Sequence, residues 1–127
     1  MNKKGFTLTE ILIVLVVAGI LLALILPNML KAIQKADVTA HRNNLHTVQS
    51  SLLMCFTETR VWSSCGSIDA LTNGKYLDAQ FTTAKTPFGV TYSVKDDPNG
   101  TGGKVSCYSG GTSVPAEVST DTSLIKC

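Results

Sequence analysis

Hydrophobic and polar residues divide the chain into three stretches with different periods. From Phe6 to Leu26 there are 21 consecutive residues without Lys, Arg, Asp or His. A helix needs about 20 such residues to cross roughly 30 Å of hydrocarbon, so this stretch predicts a membrane span. One carboxylate, Glu10, lies inside its first turns. Gly19 within it and Pro27 just after it are the residues least suited to a helix interior, and Pro27 removes a hydrogen bond to the Ala23 carbonyl at a cost of about 3 kcal/mol. Membrane helices tolerate both, so a kinked but continuous helix is expected in lipid.

Beyond Pro27 the period changes. Met29, Leu30, Ile33, Ala36, Ala40, Leu45, Val48 and Leu52 recur mostly every three or four positions, with Lys31, Lys35, Asp37, Arg42, Asn43 and Asn44 between them. That pattern predicts an amphipathic helix running to about Phe56. It would add about 45 Å to the span and make a rod of about 75 Å, one stripe of which covers a small sheet.

The last seventy or so residues change period again. Phe88, Val90, Tyr92 and Val94 alternate with Gly89, Thr91, Ser93 and Lys95, which predicts a strand with one buried face. The DDPNG stretch at 96 to 100 reads as a turn, and Val105 and Cys107 lie on a return strand. A third short strand is expected at Val114 to Val118, on an edge because it contains Pro115, and a weak last one at Leu124 to Cys127. The connection from Thr57 to Lys85 is expected to hold a short helix near Ile68 to Leu71. The fold class is therefore α+β: a long N-terminal helix and a small antiparallel sheet head.

Charge refines this picture at one end. The chain has 127 residues, 44% of them hydrophobic, and a formal charge of +2. With Lys3 and Lys4 set aside, the remaining basic and acidic side chains balance, so nucleic acid is not indicated as a partner. Two lysines beside a span orient it with that flank in the cytoplasm and the remaining chain outside. No small-residue cleavage pattern follows the apolar run. The candidate processing point precedes it, at Gly5-Phe6, which distinguishes the segment from a secretory signal peptide.

The four cysteines, Cys55, Cys65, Cys107 and Cys127, are even in number and in an exported domain point to disulfides, with three possible connectivities. Pairs 55-65 and 107-127 are favoured because each joins neighbouring elements: the helix end to its loop, and a strand to the C-terminus. A zinc site competes, but no CxxC or Cys/His pair has ligand spacing. His41 and His46 are five apart and do not stack as i, i+4 ligands, so solvated or packing histidines are expected and no metal. Asn99-Gly100-Thr101 fits a glycosylation sequon, although the turn accounts for those residues without a sugar. No phosphate loop, GxSxG or HExxH is present, so no catalytic residue is assigned and no enzyme is expected.

The string Lys4-Gly5-Phe6-Thr7-Leu8-Thr9-Glu10 ahead of an apolar run resembles the N-terminal signature of type IV pilins and pseudopilins. Thr9 stands where the family more often has a hydrophobic residue, and the specific likeness covers roughly the first 35 residues. The resemblance implies a leader, residues 1-5, removed by a prepilin peptidase between Gly5 and Phe6, with N-methylation of Phe6. It implies residues 6-27 as transmembrane and filament-core helix, and 28-127 as head. It further implies an assembly contact between Glu10 of one subunit and the Phe6 amine of its neighbour, against a plainer reading in which Glu10 serves its own chain. The stretch between Gly19 and Pro27 would be the helix break that melts in a filament, and Cys107 to Cys127 the counterpart of the family's C-terminal disulfide loop. Asp96 and Asp97 invite comparison with the calcium site of major pseudopilins, but turn formation explains them more simply, and no cofactor is expected.

The implied function is that of a structural subunit of a type IV pilus-like surface filament serving adhesion, twitching motility or DNA uptake. The implied partners are identical subunits, the peptidase, the inner-membrane assembly machinery and, before assembly, lipid. The alternatives are a pseudopilin or minor pilin of a type II secretion or competence machine and, more remotely, a membrane-anchored enzyme or binding domain.

Overall fold

The computed structural model describes residues 4–83 and 86–127. Lys3, half of the basic pair that sets the expected orientation, and Lys85, the end of the connecting region, lie outside the described residues. The chain divides into two compact units, one ending at Ala36 and one comprising Asp37–Cys127.

A single helix, α1, runs Leu8–Thr59 and supplies residues to both units. It passes through Gly19 and Pro27 without ending at either. In the first unit no described side chain is buried, and the apolar residues Leu12, Leu15, Leu22 and Ile25 are all more than half exposed. The helix is long and apolar enough to cross a membrane. Met29, Leu30 and Ile33, read from sequence as the start of a sheet-covering stripe, are also exposed and belong to this unit. They extend the bare apolar surface past Pro27.

In the second unit α1 buries Val38, His41, Leu45, Val48, Leu52 and Cys55, spaced three or four apart. This stripe packs in one core with Leu71, Leu77, Val90, Tyr92, Tyr108 and Val118. Each fully buried Leu or Val contributes about 1.5–3 kcal/mol relative to an exposed one. After α1 come a 3-10 turn at Trp62–Cys65, α2 at Ile68–Asn73 and α3 at Gln80–Thr83. The Ser67 hydroxyl caps α2 by accepting from the Ala70 N–H at 3.1 Å, which makes the expected short helix a full element.

The sheet is a two-stranded antiparallel hairpin, β1 at Val90–Asp96 and β2 at Lys104–Gly110, in register with Tyr92 opposite Tyr108. Phe88, expected as the first strand residue, instead sits in a 3-10 turn at φ +60°, followed by Gly89 at +66°. Two successive left-handed residues break the extended chain. The Phe88 carbonyl accepts from the Thr112 N–H at 2.9 Å and the Thr86 hydroxyl donates to the Val90 carbonyl, so the bend is held at both ends. The DDPNG turn forms as expected. Asp97 accepts from the Thr101 hydroxyl and from the Asn99 N–H at 2.9 Å, and these bonds, the first above all, hold its carboxyl below the usual carboxylate range.

The expected third strand at Val114 to Val118 is not a strand. Pro115 begins a one-turn helix, α4, at Ala116–Ser119, and its carbonyl accepts from the N–H groups of Val118 and Ser119 at 3.0 Å each. Val114 and Val118 are four apart, a spacing that suits a helix as well as a strand. The helical turn seats Val118 wholly in the core. The weak last strand is a single parallel bridge between Tyr108 and Lys126, with the Tyr108 N–H donating to the Ile125 carbonyl and the Cys127 N–H to that of Tyr108. Next to it the Gln49 amide oxygen accepts the Ser106 N–H at 2.8 Å, so side chain and tail share the outer edge of β2.

Both expected disulfides are present, Cys55–Cys65 and Cys107–Cys127. They close loops with sequence separations of 10 and 20 residues, each worth roughly 3 kcal/mol in the chain-entropy model. A head of this size loses about 4–8 °C in Tm for each kcal/mol. Reduction of both bonds, or Cys107→Ser with Cys127→Ser, is therefore expected to lower the Tm by more than about 10 °C in a thermal scan.

Candidate processing and assembly site

Residues 4–7 precede the first helical residue and are exposed, so the Gly5-Phe6 bond lies in non-helical chain open to a peptidase. A Cβ built on Gly5 would meet nothing within 4 Å, and Phe6 is 84% exposed. Among the described residues nothing covers this bond.

The helix start is organised by Thr7 and Glu10. The Thr7 N–H donates to Glu10 Oε2 at 2.9 Å, the Thr7 hydroxyl donates to the same oxygen at 3.3 Å, and the Glu10 N–H donates to the Thr7 hydroxyl at 3.2 Å. This is a capping box: an N-cap threonine and a glutamate three residues on satisfy each other's amides, which a helix start otherwise leaves unpaired. The carboxylate also lies at the positive end of the helix dipole. Both contacts made by its side chain use Oε2, so its second oxygen is not part of the box. The structure thus brings Glu10 to its own chain's Thr7 amide. The sequence carries a signal for this cap: Thr-Leu-Thr-Glu before an apolar run is the S/T-x-x-E pattern.

The other predicted residues lie apart from this site. A Cβ at Gly19 would also meet nothing within 4 Å. His46 is exposed, whereas His41 is buried in the core of the second unit. Asp96 pairs with Lys104 at 2.7 Å and Asp97 holds its own turn. No group of three or more His, Cys, Asp or Glu that could hold a metal ion occurs among the described residues.

An exposed basic-glycine segment, a self-capped apolar helix and a disulfide-stapled α+β unit together have the build of a pilin-like protein. Residues 1–26 match the family model described as the prokaryotic N-terminal methylation motif. The chain is 29% identical over 91 residues to the fimbrial protein EcpC of Eikenella corrodens, covering 69% of this chain and 60% of that protein. It is 48% identical over 46 residues to the type IV wide pilus major component PilA4 of Thermus thermophilus, covering 34% of this chain and 35% of that one. To type II secretion system core protein G of Pseudomonas aeruginosa it is 36% identical over 53 residues, 42% and 37% of the two chains. The matches therefore span 60% or less of these relatives' own lengths. No solved structure matches the chain significantly. The N-terminal segment thus carries the methylation motif, and the relatives it is similar to are pilins and type II secretion core proteins G.

Proposed function

We propose that this chain is a structural subunit of a type IV pilus-like filament. It is made as an inner-membrane precursor with Lys3 and Lys4 in the cytoplasm and the head outside, cut between Gly5 and Phe6 by a prepilin peptidase, methylated on Phe6, and assembled through α1 with identical subunits by inner-membrane machinery. On this reading residues 1-5 are leader, 6-27 span and filament core, and 28-127 head. The observation that carries the reading is a bare apolar helix of which no described side chain is buried up to Ala36. Such a surface needs lipid before assembly and other helices after it. Its capping box supports a role for Glu10 at the cut end. Removing residues 1-5 turns the Phe6 amide into a cation one residue ahead of the cap, and the Glu10 carboxylate accepts that amine, from its own chain or from the next.

The pseudopilin reading is favoured by the matches to core protein G, but these cover 53 residues, fewer than the 59 up to the end of α1. The EcpC match, at 91 residues, must extend beyond α1 into the head. Together with the two disulfides it supports the surface filament. The test is intact-mass analysis of filaments sheared from cells and seen by electron microscopy. The expected subunit begins at Phe6 and carries one added methyl and two disulfides. Surface subunits that begin at Met1, or that lack the apolar run, would overturn the proposal.

A further inference from the structure

His41 is wholly buried where α1 meets the hairpin. Its ring stacks on Tyr92 at 5.6 Å, meets Tyr108 edge-on at 4.7 Å and lies 6.3 Å from Phe88. Nδ1 is 3.1 Å from the Tyr92 hydroxyl, which also accepts from the Asn44 side-chain amide at 3.2 Å. A hydroxyl has one hydrogen and two lone pairs, so it can donate to Nδ1 or accept from Nδ1–H while also accepting from Asn44. In either neutral tautomer the ring keeps one bond to Tyr92, and Nε2 has no hydrogen-bond partner among the described residues. The ring is therefore bonded at one nitrogen only.

We propose that His41 is a proton-operated latch between α1 and the hairpin. Neutral, it fills the aromatic cage with one bond to Tyr92; protonated, it is a buried cation that donates at both nitrogens with an acceptor at Nδ1 alone among the described residues, so mild acid loosens the hairpin from α1. Protonation adds one proton from solvent to the bare ring nitrogen. Beyond the attraction of the ring faces, the surrounding groups offer the cation no counter-charge. From β1 comes Tyr92, and from β2 Tyr108, whose hydroxyl is engaged with the Val118 carbonyl at 3.5 Å. The turn before β1 contributes Phe88. On α1, Asn44 donates to Tyr92, and Arg42 is a like charge whose guanidinium pairs with Asp121 at 2.9 Å. Among the described residues no carboxylate is bonded to the ring.

Burial first, and then the Arg42 guanidinium, hold the His41 imidazole below its usual range. The unfolded chain takes up this proton near pH 6.5, so the neutral contact contributes fully above that value and is lost as pH falls through the lower folded one. Between the two, each pH unit shifts the closed-to-open ratio by up to about tenfold. The latch does not depend on filament assembly and can be tested on the single chain.

The experiment is urea unfolding of the full chain in detergent micelles, followed by Trp62 fluorescence between about pH 7.5 and about pH 5. Wild type and His46→Gln are expected to lose stability in parallel as pH falls, and His41→Gln to lose much less. Nitrogen NMR of the wild-type histidine rings provides a second measurement that needs no variant. It is expected to show His41 neutral near pH 7 and titrating below the usual histidine range. A His41 that titrates in or above that range, or an unchanged pH response in a folded His41→Gln, would each overturn the latch.

Discussion

Filaments are expected to be at least about tenfold fewer when Glu10→Gln is the only subunit expressed, and nearly absent with Glu10→Leu. The two variants separate the roles of the carboxylate. Glutamine still offers an oxygen to the Thr7 N–H and completes a capping box, as Ser/Thr-x-x-Gln does in helices generally, but it carries no charge. Leucine removes both. Leaving the bilayer for a bundle of like helices exchanges one apolar surface for another and gives little hydrophobic drive. An ion pair between Glu10 and a neighbour's Phe6 amine, at about 4 Å and an effective dielectric near 20, would supply about 4 kcal/mol. Loss of even a third of that is about tenfold in each association step. Processing is checked by mass, the helix start by amide exchange at Leu8 to Ile11, and filaments are counted by microscopy. Normal filament numbers from a processed Glu10→Gln subunit would leave the capping box as the whole role of this residue.

Gly5→Leu is expected to leave the fold intact and abolish cleavage, so that cells accumulate the uncut precursor and bear no filaments. A side chain at this position has open space on all sides, so no cost to the fold is expected. A glycine at an exposed bond allows close approach of another backbone, as a peptidase groove requires. A misfit of only about 1.4 kcal/mol in the bound transition state is tenfold in rate. The measurement is the precursor-to-mature ratio by intact mass, with unfolding of the purified precursor as the control. Efficient cleavage of Gly5→Leu, or a precursor that no longer folds, would argue against the assigned site.

The parts of the fold legible in the sequence are those where one physical demand dominates. Lipid needs an unbroken apolar run and a hairpin needs its alternation, and both patterns were visible from Phe6 to Leu26 and from Val90 to Cys107. The cysteine pairs followed from chain neighbourhood, because short loops are the easiest to close. What misled was any segment that suits two periods. Val114 and Val118 fit strand and helix alike, and only the seat for Val118 in the core decides between them. Phe88 looks like a strand residue because its backbone angle leaves no mark in an alternation of apolar and polar residues. His41 shows the limit most clearly: a histidine amid Asn, Arg and Thr can be solvated or packed, and the aromatic cage that decides for packing is made by residues about 50 and 70 positions away. At the N-terminal site the charge of Glu10 is conspicuous, whereas its partner Thr7 is not, because a hydroxyl in an apolar context looks like filler.

The outer edge of β2 bears on how copies of this chain can meet. An open strand edge is a generic adhesive that accepts any extended chain in either direction and at several registers. Here the Gln49 amide covers the Ser106 N–H, and the tail, anchored by Cys127, takes both backbone groups of Tyr108. A head shut along that line cannot zip to its neighbours there. On the proposed function, subunits crowded on a membrane before assembly would be spared one common route to amorphous aggregates, and the choice of neighbour would pass to the helix, where register can be read.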